Sequence, residues 1–330
     1  MIELNKIYKM DNLELLNELP NNYIDLIYSD ILFNTGRKFK DYNDNLGTPQ
    51  QAIEWYRPRI EGMYRVLKDT GSIYLHMDYR LVHYMKVLMD EIFGFDNFRN
   101  EIVWKRSNGH NLSKKEFINI IDYILKYSKS NNYIHNILYD KLSDLEIKNK
   151  FPYLEIETGR YYNTDKLEKS SNSYNKNEIR IINNKKFKTT LGWVWTQKEL
   201  DIRLLNNKHL IYITKNNKPR YKNYADEYKG KLINNIWDDI NNISNSKERI
   251  GYDTQKPKLL LERIIKSSSN ENDIVLDLFC GSGTTMVAAK ELGRKFIGCD
   301  ISERAIEISE KRLMEVEIDG SEGKVSECVG

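Results

Sequence analysis

The chain has 330 residues, 51 of them basic and 48 acidic, with a formal net charge of +3, which neither requires nor excludes a nucleic-acid partner. Its 40% hydrophobic and 30% charged residues fit a soluble globular protein with room for one large or two ordinary domains. No apolar run approaches a bilayer span, no secretion-type apolar core opens the chain, and Cys280, Cys299 and Cys328 lack metal-site spacing, so a reduced, cytoplasmic protein with neither membrane nor metal is expected.

In chain order, Asp11 in "KMDNLELL" suits the N-cap of a first helix. The run "NNYIDLIYSD" reads as a turn and a buried strand that delivers Asp30 to its carboxyl end. Ile31, Leu32 and Phe33 follow, then the turn formers Asn34-Thr35-Gly36, which together have the shape of an active-site loop. "TPQQAIEWYRPRIEGMYRVLKD" has helical spacing, with Asp69-Thr70-Gly71 expected to end it. "GSIYLHMD" is a second buried strand ending in an acid, Asp78, and "YRLVHYMKVLMDEIFG" is an amphipathic helix.

From about residue 129 to 249 the texture changes to Asn, Lys and Tyr without α/β alternation, as in an inserted region. There "KHLIYITKNNKPRYKNYADEYKGK" predicts a hairpin around Asn216-Asn217. Lys218, Arg220 and Lys222 interleave with tyrosines in it, a pattern suited either to DNA phosphates or to a solvated basic face. Pro257 in Gln255-Lys256-Pro257 then suits a helix start. "DIVLDLFCGSGTTMVAAKELGRKFIGCDIS" gives a strand over 274–278, a small-residue loop, a helix from about 284 to 292 and a strand ending at Asp300. Such β-loop-α-β units imply a parallel sheet with right-handed crossovers. The expected fold is therefore α/β, a doubly wound Rossmann-like sheet built from residues 1–128 and 250–313, with the insertion at 129–249 and a flexible tail at 314–330.

The loop carries chemistry. Gly281 and Gly283 let the backbone turn tightly beside a ligand at a helix N-terminus, and Asp300 can accept both hydroxyl hydrogens of a ribose. A dinucleotide fingerprint needs a third glycine where Met286 stands, and Asp277 favours a cationic ligand over an anionic one. S-adenosylmethionine, with its ribose, sulfonium and ammonium, meets those conditions; the alternative is a glycine turn inside any α/β protein.

The segment "TQKPKLLLERIIKSSSNENDIVLDLFCGSGTTMVAAKELGRKFIGCDIS" closely resembles the C-terminal part of the circularly permuted β class of DNA amino-methyltransferases. "DNLELLNELPNNYIDLIYSD" with "FNTG" resembles their N-terminal part, and "NEIVWKRSNG", "IWDDI" and "KERIGYDTQKP" resemble the borders of their variable region. The resemblance implies a class I methyltransferase sheet with an inserted target-recognition region, S-adenosylmethionine as cofactor and duplex DNA as substrate. It further implies base flipping, with a homodimer and a cognate restriction enzyme as partners. The family's catalytic acid, two prolines and aromatic fall on Asp30, Ile31, Leu32 and Phe33. This implies Asp30 and the Ile31 carbonyl as acceptors for the target amino group, and Phe33 as the stacking plate.

Both prolines are missing, which restores two N–H donors and loosens the loop; a catalytically silent DNA-binding subunit would show the same departure. An acid at the head of the motif favours adenine N6, and Ser29 before it leaves cytosine N4 as the alternative; methylation of RNA is a third reading. By resemblance, Asp11, Gln255, Lys256, Asp277, Phe279, Cys280, Gly281, Gly283, Thr284 and Asp300, with Asp30, face the cofactor. Arg106, Lys218, Arg220 and Lys222 face DNA, and "RSNGHNLSKKE" is a mobile loop that closes on it.

Overall fold

Leu26 and Tyr28 are buried in one core and Ile27 in another, the strict alternation of a strand covered on both faces. In the computed structural model, which describes residues 2–107, 115–169, 178–243 and 247–322, this run lies in a central sheet of eight strands. They are β1 (Lys6–Lys9), β2 (Ile24–Asp30), β3 (Leu67–Met77), β4 (Phe98–Lys105), β5 (Ile121–Ser128), β6 (Ile236–Trp237), β7 (Ile274–Asp277) and β8 (Lys295–Asp300). Their order is β1-β8-β7-β2-β3-β5-β4-β6. The first five are mutually parallel, and β5 runs antiparallel to β3 and β4.

Helices cover both faces, as a doubly wound sheet requires. On one, α1 (Asn12–Glu18), α2 (Pro49–Val66) and α3 (Val82–Phe93) bury Leu15, Tyr56, Met63 and Met85 against Ile27, Leu276 and Ile297. On the other, α4 (Lys258–Ser268), α5 (Thr284–Glu291) and α6 (Glu303–Glu322) bury Leu261, Met286 and Ile306 against Leu26, Val275 and Phe296. Although β7 follows β2 at a distance of most of the chain, it pairs with it directly, Val275 opposite Leu26 and Leu276 opposite Ile27. The carboxyl ends of β2, β7 and β8 therefore meet at one edge, carrying Asp30, Asp277 and Asp300. Ligands of open α/β sheets bind outside such ends.

One boundary differs from expectation. Helix α2 stops at Val66 and β3 begins at Leu67, so Asp69-Thr70-Gly71 lies inside a strand instead of ending a helix. The register of β2 against β3 shifts there between Ile24 and Leu26, and a Cβ on Gly71 would come within 2.9 Å of the Asp25 carbonyl. Helix α6 continues to Glu322, into the span expected as tail; residues 323–330 lie outside the described residues. So do residues 108–114 of the loop expected to close on DNA.

The chain divides into two compact units, Met1–Leu138 with Ile233–Gly330, and Tyr139–Leu232. Residues 129–138 and 233–249 of the expected insertion thus belong to the first unit. The second unit holds a four-stranded sheet around Arg160–Lys166 and a small core of Leu167, Ile182, Phe187, Trp193 and Leu200. Its hairpin is the expected one: Ile211–Ile213 pairs antiparallel with Pro219–Tyr224, and Asn217 takes a left-handed φ of 56° in the turn. No helix of the described residues is long and apolar enough to cross a membrane.

Candidate active site

Beyond the carboxyl ends of β2, β7 and β8 lies a cavity of about 270 Å³. Asp11, Asp30, Asp277 and Asp300 line it, with Phe279, Cys280, Gly281 and Thr284 from the glycine loop; among the described lining residues Lys256 supplies the only cation. Four carboxylates against one ammonium suit a cationic guest. The loop is shaped by backbone need. Gly281 and Gly283 have φ of 48° and 72°, and a Cβ on Gly283 would stand 2.6 Å from Ser309 Cβ. Asp300 braces the turn, its Oδ2 accepting from the Gly281 N–H at 2.9 Å and its Oδ1 from the Ser302 N–H at 2.9 Å. Burial raises its carboxyl above the ordinary range.

Asp277 accepts from the Phe279 N–H at 3.0 Å and from Thr285 Oγ1 at 2.6 Å. Burial pushes this carboxyl up to about 7, against the pull of those two bonds and with Asp30 and Asp300 adding to the rise. Asp11 caps α1, accepting from the Leu13 N–H at 2.8 Å, and also faces Arg59 Nη2 at 3.3 Å while lining the cavity. Arg59 in turn lies over Trp55, its guanidinium carbon 3.4 Å from the ring centroid, and Trp55 with Tyr252 adds aromatic wall.

Asp30 ends β2 with its side chain 18% exposed. Its Oδ2 accepts from Lys256 Nζ, and its Oδ1, 3.8 Å from His76 Nδ1, is buried without a hydrogen-bond partner among the described residues. The Ile31 N–H, which a proline would lack, donates to the His76 carbonyl at 3.2 Å and adds one rung to the β2–β3 ladder. The Leu32 carbonyl accepts from Tyr56 Oη at 2.9 Å. The loop expected to loosen is thus tied at two successive residues.

The turn that follows is held by Asp44, which accepts from the Asn34 and Thr35 amides at 2.9 and 3.0 Å, with Asn34 in a left-handed conformation. Beside it a second cavity of about 210 Å³ is lined by Phe33, Trp104, Arg106, Asp122 and Lys256. Under it His76 is fully buried, bonded through Nδ1 to Tyr28 Oη at 2.9 Å and 3.4 Å from Asp122 Oδ2 through Nε2.

The other expected residues fall differently. Gln255 lines the second cavity instead of the first, and its amide is committed to the Ile250 N–H and the Glu248 carbonyl. Arg106 Nε lies 3.0 Å from Asp122 Oδ1. In the second unit, Lys222 pairs with Glu155 and is only 12% exposed, Arg220 holds Thr164 through two bonds, and Lys218 alone of the three is well exposed, at 69%. His76, Trp104, Asp122 and Tyr252 were not singled out by sequence reasoning. His76 was the legible one, a polar residue inside an otherwise apolar strand in "GSIYLHMD".

Residues 24–311 match the family described as DNA methylase, N6_N4_Mtase. The chain is 31% identical over 311 residues to the type II methyltransferase M.EcaI of Enterobacter cloacae, covering 87% of this chain but 64% of that protein, under two thirds of its length. It is 28% identical over 312 residues to the DNA adenine methyltransferase YhdJ of Escherichia coli strain K12, covering 94% and 83%. In fold it is similar to TTHA0409 of Thermus thermophilus, solved in complex with S-adenosyl-L-methionine, with a TM-score of 0.51 at 17% identity over 94% and 93% of the two chains. The match spans most of the sequence, and the chain belongs to this DNA methylase family.

Proposed function

From that membership we propose that the protein transfers a methyl group from S-adenosylmethionine to adenine N6 in duplex DNA, with the target base drawn out of the helix. The observation that carries the reading is the meeting of Asp30, Asp277 and Asp300 around one acidic cavity, with Phe33 beside a second. The lining fits the cofactor: Asp300 can accept from ribose hydroxyls, the carboxylates suit the cationic groups, and Gly281 keeps clear a space where a Cβ would come within 3.2 Å of the Tyr252 ring on the cavity wall. When bound, the cofactor supplies an electrophilic methyl group on a sulfonium.

The chain's own residues do the rest. An exocyclic amino group is a weak nucleophile because its lone pair is delocalised into the ring. Asp30 and the Ile31 carbonyl accept its two N–H bonds and localise that pair, while Phe33 stacks on the ring and fixes its angle. As the new nitrogen–carbon bond forms, the sulfur–carbon bond to the methyl group would break, and the cationic nitrogen would then lose one proton to solvent.

Two observations support the register on Asp30. Ser29 is fully buried, opposite Leu75 within the sheet, whereas Asp30 lines the cavity. The E. coli relative is an adenine methyltransferase by name. The tied Ile31 and Leu32 support a working loop over a silent subunit. The reading includes residues 139–232 as the target-recognition region with Lys218 on phosphate, a homodimer, a cognate restriction enzyme as partner, and a cytoplasmic setting.

Purified protein, labelled S-adenosylmethionine and unmethylated bacterial DNA, with RNA in parallel, test it. Label recovered as N6-methyladenine after digestion is the expected result. Label on cytosine N4 would move the acceptor, and cofactor binding without transfer to DNA would remove the enzyme reading.

A pH dependence follows from Asp277. Its folded value of about 7 exceeds the ordinary 3.8, so the stability it contributes is complete below 3.8 and is lost as pH rises through about 7. A cationic guest favours the ionised form, so the rise in unfolding temperature caused by the cofactor grows across the same window. Asp277→Asn flattens both trends. Thermal unfolding with and without cofactor over that range checks this, and an unchanged slope in the variant would refute it.

A further inference from the structure

Lys256 is the only cation among the described residues that line the first cavity, and it lines the second as well. Its ammonium donates to Asp30 Oδ2 and stands 5.3 Å from the centroid of the Phe33 ring. Its side chain is only 14% exposed, so the pair is largely withdrawn from solvent. These contacts are the ones that the proposed reaction assigns to the target base: a nitrogen donor on the Asp30 carboxylate, and a partner for the Phe33 ring. Building on that reading, we infer that Lys256 is a resident stand-in for the target amino group, holding Asp30 and Phe33 until an extrahelical base displaces it.

The electrostatics require the displacement. A carboxylate that must draw electron density towards a neutral amino group cannot do so while an ammonium neutralises it at hydrogen-bond distance. The ammonium therefore leaves Oδ2 before transfer. A lysine suits this service better than an arginine, because its compact charge sits on a flexible four-carbon stem and has no bidentate grip to break.

Asp122, which lines the second cavity together with Lys256 and already faces Arg106 at 3.0 Å, keeps negative charge on the wall of the space that the departing ammonium can enter. The carboxylate is never left bare in a cavity with three other acids, which is the benefit of the arrangement. The consequence falls on binding. Only the fraction of molecules with Lys256 swung away can receive the base, so the apparent affinity for DNA is reduced by that fraction, while the rate once the base is seated is not.

The test compares wild type with Lys256→Met, which keeps the length of the stem and removes the charge, using labelled cofactor and increasing concentrations of unmethylated bacterial genomic DNA. Lys256→Gln serves as a second neutral variant, and thermal unfolding shows that both are folded. The expected result is a half-saturating DNA concentration lower by about tenfold. A half-saturating concentration that stays the same or rises, as loss of a phosphate contact would give, overturns the inference. Wild-type protein that binds cofactor but methylates no DNA would overturn the inference together with the reading on which it rests. Wild-type transfer with unmoved variants overturns the inference alone.

Discussion

Asp30→Ala is expected to slow methyl transfer by about 10²–10³-fold at saturating cofactor and DNA, the range seen when a single preorganised polar group is removed from a reacting centre. The residue ends β2 with its side chain at the cavity instead of in either core, so its loss opens little space in the packed interior. The carboxylate's Oδ1 has no hydrogen-bond partner among the described residues, and its Oδ2 holds only Lys256. The fold therefore draws on it for one ion pair, and unfolding temperature should change little. Asp30→Asn retains one acceptor oxygen but loses the charge, and should fall between alanine and wild type. Single-turnover transfer measured beside thermal unfolding separates the two quantities. A rate for Asp30→Ala within about twofold of wild type would sink the assignment of Asp30 as the acceptor.

Gly283→Ala should destabilise the protein by about 2–4 kcal/mol and weaken cofactor binding. About 1 kcal/mol comes from placing a side chain at a φ of 72°. A further 1–3 kcal/mol, roughly, comes from the collision of the new Cβ with Ser309, whose Cβ and Oγ would stand 2.6 Å away and whose Cα 3.1 Å away. Ser309 has little room to yield, because it is fully buried and its Oγ donates to the Gly281 carbonyl at 3.0 Å. Relief of the clash must push the glycine loop itself, which carries the Gly281 N–H bonded to Asp300. Gly36→Ala is the control, with a similar φ of 74° and nothing within 4 Å of its Cβ. It should cost only the backbone part. Equal losses from the two substitutions in chemical denaturation would show that the contact with Ser309 contributes nothing.

Local chemistry is what could be read along the chain. The alternation of Leu26, Ile27 and Tyr28 between two cores, the glycine loop between β7 and α5, Asp300 at the end of the next strand and the hairpin at Asn217 all depend on neighbours a few residues away. The proposed register, with Asp30 at the head of the loop, rests on the resemblance and on a local mark of the same kind, the Asn-Thr-Gly turn after Phe33. The break at Asp69-Thr70-Gly71 misled because turn-forming residues also accommodate a strand irregularity, and only the register of β2 against β3 tells the two apart.

Which distant groups meet is set by strand pairing and is not written in any local stretch of the chain. Pairing of β7 with β2 brings three acids to one cavity, and the Lys256 ammonium reaches Asp30 from a segment 226 positions away. The same holds for the basic residues of the hairpin: their spacing suited phosphate contacts, yet Lys222 is spent on Glu155 and Arg220 on Thr164. A charged side chain on a half-buried strand can face solvent or a partner across the sheet. Desolvation settles the matter in favour of the partner wherever one lies within reach, and that partner is invisible until the strands are aligned.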